Sequence, residues 1–232
     1  MPFTLDNVVP WGRSLDEYVR MFDLEKLSPD CRLLGCADGP AAFNAGWTRC
    51  GRQIVSCDPL YYFTAEEIQG RIDACFQMVL QQTRENQDGF VWNKTISDIE
   101  TLGQVRSQSM QTFLKDYPHG LQEGRYVAAE LPDLPFPDDQ FDVALCSHFL
   151  FLYGALGAEF HRRSIASLLR VASQVRIFPL LQLDRQPSPF VREVIRQVEF
   201  EGHTAKIVRV PYEFQKGANE MLVLQKTGTG RN

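Results

Sequence analysis

The residues best able to bind or transform a ligand fall in a few short runs: Gly35-Cys36-Ala37-Asp38-Gly39, a solitary Asp58, Glu130-Leu131, and Cys146-Ser147-His148-Phe149 with Tyr153 close behind. A glycine at 39, just before a helix, lets backbone approach a ligand, and the free N–H groups of a helix start favour a carboxylate or phosphate. An ordinary tight strand-to-helix turn would use the same residues. Asp58 stands about twenty residues after that turn, where a carboxylate can accept two hydrogen bonds from a ribose diol. Equally, an Asp before Pro59 forms a turn.

Glu130 could accept from an adenine amino group beside an apolar slot at Leu131, or be a solvated carboxylate at a loop start. His148 is of the residue type suited to removing a proton near neutrality, or it is a packed, hydrogen-bonded core histidine. Tyr61, Tyr62, Phe151 and Tyr153 could line a substrate pocket around the same mouth, though aromatics at such spacing also fill cores.

These residues matter together only if the chain brings them together, and its order of elements predicts that it does. Ser14 to Glu17 has the form of a capping box, opening a helix with Leu15, Tyr18, Val19 and Phe22 on one face, over the sheet edge or the ligand mouth. Arg32 to Leu34 leads as a strand into the glycine turn. Pro40 opens a short helix that Gly51 can close, and Gln53 to Cys57 is a second strand ending at Asp58. A second capping box at Thr64 to Glu67 starts a helix carrying Ile68, Ile72, Cys75, Phe76, Val79 and Leu80, and Ser97 to Glu100 starts another with Leu102, Val105 and Phe113. The segment 64–120 is too long for a plain crossover and reads as a helical cap inserted over the strand ends.

Alternation then resumes. Strands are expected at Tyr126 to Glu130, Phe141 to Ser147 and Arg176 to Leu181. Helices are expected at Phe160 to Val171 and after Ser188-Pro189, and two β-rich runs, 204–214 and 220–226, form a closing hairpin. Residues 227–232 read as a disordered tail. The expectation is a single α/β domain over 1–232, a three-layer Rossmann-like fold around a seven-stranded mixed sheet.

With 232 residues, 44% hydrophobic and 23% charged, the chain suits one well-filled core. A net charge of −5 argues against a protein that grips nucleic acid through phosphates. Cysteines 31, 36, 50, 57, 75 and 146 form no metal-ligand spacing and read as reduced core thiols, so no metal is expected. The sequence shows neither a basic-then-apolar leader nor an apolar run of roughly 18 residues, so the expectation is a cytoplasmic protein with a small-molecule substrate.

The run Leu-Pro-Phe-Pro-Asp-Asp-Gln-Phe-Asp-Val-Ala-Leu at 134–145 resembles a stretch found in many class I S-adenosylmethionine-dependent methyltransferases, and the likeness extends from about residue 30 to 226. It implies a seven-stranded sheet ending in an antiparallel hairpin, with S-adenosyl-L-methionine as cofactor. It also implies that Gly39 lines the methionine part of the cofactor, Asp58 holds the ribose hydroxyls and Glu130 with Leu131 receives the adenine; Gly35, Ala37 and Asp38 of the first turn and Ser147 at the end of the fourth strand complete the expected cofactor-binding set. His148, then Tyr153, would be the catalytic base.

The first motif departs from the family pattern, which has an acid and three alternating glycines. Here the acid is missing at 35, and Asp38 would either replace it toward the cofactor's amino group or repel the cofactor's carboxylate. Ala37 would be costly if its φ is positive. Methyl transfer to an oxygen, nitrogen or carbon of a small molecule leads. A non-catalytic member of the fold that binds a nucleoside-like ligand or a protein partner is the rival, supported by the eroded glycines. A nicotinamide enzyme would need the Gly-x-Gly-x-x-Gly that Gly35, Ala37 and Pro40 do not supply.

Overall fold

The computed structural model describes residues 9–227, ordered as α1 (Leu15–Phe22), β1 (Leu33–Cys36), α2 (Phe43–Arg49), β2 (Ile54–Cys57), α3 (Ala65–Glu85), α4 (Ile99–Gln122), β3 (Tyr126–Val127), β4 (Phe141–Ser147), α5 (Gly157–Val171), β5 (Ala172–Phe178), α6 (Phe190–Phe200), β6 (Thr204–Arg209) and β7 (Glu220–Gln225). The strands form one mixed sheet in the order β3-β2-β1-β4-β5-β7-β6. β1 to β5 run parallel, while β7 lies antiparallel to both β5 and β6. This is the seven-stranded, hairpin-ended, Rossmann-like mixed sheet that the sequence resemblance implies. The order reverses between β1 and β4, which opens a crevice beyond the carboxyl ends of those two strands.

Period-two alternation divides the core. Leu33, Val143 and Leu145 pack on one side with Tyr18 of α1 and Phe43 and Trp47 of α2. Leu34, Ala144 and Cys146 face the other way, toward Ile165 and Leu168 of α5 and Val191, Val194 and Val198 of α6. α3 packs on α4, and α4 on α2 and β3. Both expected capping boxes form, at Ser14/Glu17 and Thr64/Glu67.

Several boundaries differ from the sequence reading, and prolines explain three of them. β3 stops at Val127 instead of Glu130: it pairs with Ser56 and Cys57 of β2, Asp58 N–H donates to Val127 O at 3.3 Å, and Pro59 then has no N–H to continue the ladder. β5 stops at Phe178 before Pro179, and it begins earlier than expected because Ala172 already pairs with Phe141. β6 stops at Arg209, shortly before Pro211, instead of running to 214. α2 starts at Phe43, after a turn through Pro40. The cap of α4 is Asp98, not Ser97, and its side chain accepts from Thr101 N–H at 2.7 Å. α5 begins three residues before the expected Phe160. Five cysteines are buried free thiols as expected, but Cys50, at the end of α2, is exposed. Of the expected tail, residues 228–232 lie outside the described residues. Among the described residues no helix is long and apolar enough to cross a membrane.

A buried ion pair ties α1, α4 and the β6–β7 connection into one wall beside the crevice. Arg106 of α4, 0% exposed, donates to both oxygens of Glu17 of α1 at 2.6 and 2.7 Å, and Tyr212 Oη donates to Glu17 at 2.9 Å. Burial alone would raise the Glu17 carboxyl, but the Arg106 charge and hydrogen bonds outweigh it and hold the group down at about 2. Removing Arg106 leaves Glu17 charged and buried without its ion-pair partner, held only by the neutral donors Tyr212 and Ser14 and the more distant charge of Arg13. Arg106→Met is therefore expected to lower the unfolding free energy in urea by about 3–5 kcal/mol. A loss under about 1 kcal/mol, the range of exposed pairs, would show that this pair does not hold the wall.

Candidate functional site

The turn after β1 is built around Asp38, whose carboxylate folds back over its own strand. A Cβ at Gly35 would lie 1.9 Å from Asp38 Oδ2, so glycine at 35 makes the space that the carboxylate fills. Tyr18 Oη of α1 donates to Asp38 Oδ1 at 2.9 Å and Ser56 Oγ of β2 donates to Oδ2 at 2.6 Å. Asp38 thus takes up the position of the missing residue-35 side chain while still lining a cavity. To reach it the backbone passes through Ala37 at φ 58°, a left-handed conformation that costs a β-carbon-bearing residue of the order of 1–2 kcal/mol.

Asp58 locks the same turn from the side. Its Oδ2 accepts from Gly39 N–H at 2.9 Å and its Oδ1 from Leu60 N–H at 2.8 Å. A carboxylate has about four acceptor positions, so these two bonds leave capacity for a ligand. Gly39, at φ +53°, has nothing within 4 Å of where a Cβ would stand, and its carbonyl accepts from Tyr61 Oη at 2.8 Å. Burial lifts both carboxyls to about 6 against the pull of their hydrogen bonds; Asp58 adds to the rise at Asp38, and Glu130 to that at Asp58.

Across the crevice, β4 ends in Ser147, followed by His148 at φ 52°. His148 N–H donates to Phe178 O at 2.7 Å, and its Nδ1 meets Ser147 Oγ at 2.9 Å, leaving Nε2 for a ligand. Burial, then the charges of Arg13 and Arg106, push the imidazole well below its usual pKa, so it is neutral at physiological pH. Tyr153 stands nearby, its phenol raised to about 12 by burial.

Ala37, Asp38, Gly39, Asp58, Ser147, His148 and Tyr153 all line one cavity of about 450 Å³ at the carboxyl ends of the strands. Other expected residues are elsewhere. Gly35 lies beneath the Asp38 carboxylate. Glu130 is exposed and three residues beyond the end of β3, Leu131 packs in the core, and neither lines the cavity. Of the four aromatics, only Tyr153 is on the wall: Tyr61 and Phe151 are buried in core clusters, and Tyr62 is 70% exposed.

The sequence reading missed the wall facing the sheet: Trp11 and Arg13 ahead of α1, Arg71 and Thr83 of α3, and Phe90 and Phe214. One available signal was Gly12, where a Cβ would lie 2.1 Å from Pro40 O; only glycine lets this strap cross so near the first turn.

Each raised carboxyl should be visible directly. Carbon-13 NMR of labelled aspartate is expected to show Asp38 and Asp58 titrating near 6, and Asp58→Asn should lower the Asp38 value by removing a neighbouring negative charge. Asp38 titrating near the ordinary value of about 4 would contradict its burial.

No protein-family model matches the chain. It is 31% identical over 224 residues to the uncharacterized protein MJ0045 of Methanocaldococcus jannaschii, covering 96% of this chain and 98% of that protein. Among solved structures it is similar to the magnesium protoporphyrin IX methyltransferase of Synechocystis PCC 6803 with bound SAM, at 11% identity and a TM-score of 0.49, over 92% of this chain and 78% of that one. It is also similar to the 1,6-didemethyltoxoflavin-N1-methyltransferase of Burkholderia thailandensis, at 12% identity and a TM-score of 0.48, over 98% of this chain and 94% of that one. At that level of similarity no residue role passes to this chain.

Proposed function

The chain belongs to the same family as the Methanocaldococcus jannaschii protein, and from the geometry of the site we propose that it is an S-adenosyl-L-methionine-dependent methyltransferase acting on a small molecule. One observation carries the reading: the turns after β1, β2 and β4 converge on a single cavity at the point where the strand order reverses. Left-handed backbone at Ala37 and at His148, one on each side of that point, is the kind of strain found at ligand sites.

The residues present fit the cofactor. Asp38 would face its amino group, the open ledge at Gly39 its methionine chain, and the spare acceptor positions of Asp58 its ribose hydroxyls. Leu60 and Phe63, which line the cavity near Asp58, would form the apolar wall for the adenine in place of Leu131. When bound, S-adenosyl-L-methionine supplies an electrophilic methyl group. The protein's part is to align a nucleophile behind that methyl and exclude water. His148, neutral and with Nε2 free, can take the proton of an acceptor hydroxyl or ring N–H. Tyr153 is less suited, because a phenol raised to about 12 holds its own proton. Within the 64–120 segment, α3 would do the capping, with Arg71, Val79 and Thr83 on the cavity wall, while α4 packs on α2 and β3.

Calorimetric titration with S-adenosylmethionine and S-adenosylhomocysteine tests this, and micromolar binding is expected. Asp58→Ala should weaken it by about 1.5–3 kcal/mol, the range for hydrogen bonds to charged groups. Both carboxyls are ionised above about 6 and protonated below, so affinity should fall as the pH drops through that value. No detectable binding at millimolar ligand would favour the non-catalytic reading, and an unchanged affinity in Asp58→Ala would remove Asp58 from the site.

A further inference from the structure

The cavity holds a cation that the proposed cofactor contacts leave unused. Arg13 lines it, yet none of the ion pairs among the described residues includes this guanidinium. Its Nε is buried without a hydrogen-bond partner, and its one hydrogen bond is a long contact from Nη1 to Trp11 O at 3.5 Å. The neighbouring carboxylate lends it a favourable charge but no hydrogen bond, because the oxygens of Glu17 are held by Arg106, Tyr212 and Ser14. A guanidinium so placed is costly unless an anion joins it.

The other cations on the wall differ. Arg71 is exposed and stacked over Phe63 at 3.7 Å, and Arg185 is exposed beside Asp184. The same cavity is lined by Trp11, Phe149, Tyr153 and Phe214, aromatic side chains that suit a flat ring.

Resting on the methyltransferase reading, we propose that the acceptor is a planar aromatic molecule bearing a carboxylate or similar anionic group, with Arg13 pairing that anion. Arg13 lines the same cavity as His148 and Tyr153, so an anion held by its guanidinium would share the cavity with the proposed base. An Arg–carboxylate pair is directional and bidentate, so it would fix the in-plane orientation of the ring as well as hold it.

The test is calorimetry on the full chain with two probes of matched shape, 2-naphthoate and its neutral analogue 2-naphthamide, each with and without S-adenosylhomocysteine. Naphthoate should bind at least tenfold more tightly than naphthamide. Arg13→Gln should erase that preference without changing naphthamide affinity, while Arg13→Lys, which keeps the charge and guards against a folding artefact, should retain most of it.

Equal affinity for the two probes, binding of neither, or a preference that survives Arg13→Gln would overturn the proposal. So would an Arg13→Gln protein that keeps the naphthoate preference but binds S-adenosylhomocysteine tenfold more weakly, since the cation would then serve the cofactor's own carboxylate. If S-adenosylhomocysteine binds to no variant while the Arg13-dependent preference persists, the anion site stands and methyl transfer falls.

Discussion

A carboxylate turned back over its own strand sets the shape of this site. Asp38 occupies the space above Gly35, held by a tyrosine from α1 and a serine from β2. Three consequences follow from that one placement. Residue 35 must be glycine, residue 37 must enter the left-handed region even though it is alanine, and α1 must pack close enough for Tyr18 to reach across. Burying an acid this way is unfavourable for its charged form, which is why the group titrates near 6 and why two hydroxyl donors are spent on it. The first turn thus carries its carboxylate at 38, above Gly35 at the carboxyl end of β1.

Around that turn, hydrogen bonds relay position from one element to the next. Asp58 fixes Gly39, Tyr61 holds the Gly39 carbonyl, and Tyr117 of α4 donates at 3.0 Å to the carbonyls of Tyr61 and Phe63. The Glu17–Arg106 pair closes the far side by joining α1 to α4. Both aspartates belong to the turns after β1 and β2, His148 follows β4, and Arg13 is carried by the strap that crosses the first turn at Gly12 and Pro40.

Much of this was legible in the sequence. Helical periodicity, two capping boxes and the β-rich ending foretold the order of elements, because those signals are local. Strand ends were read less well where the apolar run outlasts the ladder: Ala128 and Ala129 look like strand, yet Pro59 on the partner leaves β3 nothing to pair with. The same shortening carried Glu130 and Leu131 past the sheet and off the cavity wall. Asp38, Gly39, Asp58, Ser147 and His148 were found because each ends or follows a strand. Arg13 was not, since nothing local distinguishes an arginine that crosses the cavity from one in solvent; its place depends on Gly12 packing against Pro40 and on Arg106 having taken Glu17.

The most direct check is a crystal structure of the chain soaked with S-adenosylhomocysteine. The ligand's amino group is expected within about 3 Å of an Asp38 oxygen, with its ribose hydroxyls on Asp58. A nucleoside bound elsewhere, or a ligand in the cavity that leaves the Asp38 carboxylate touching only Tyr18 and Ser56, would contradict the role given to that residue.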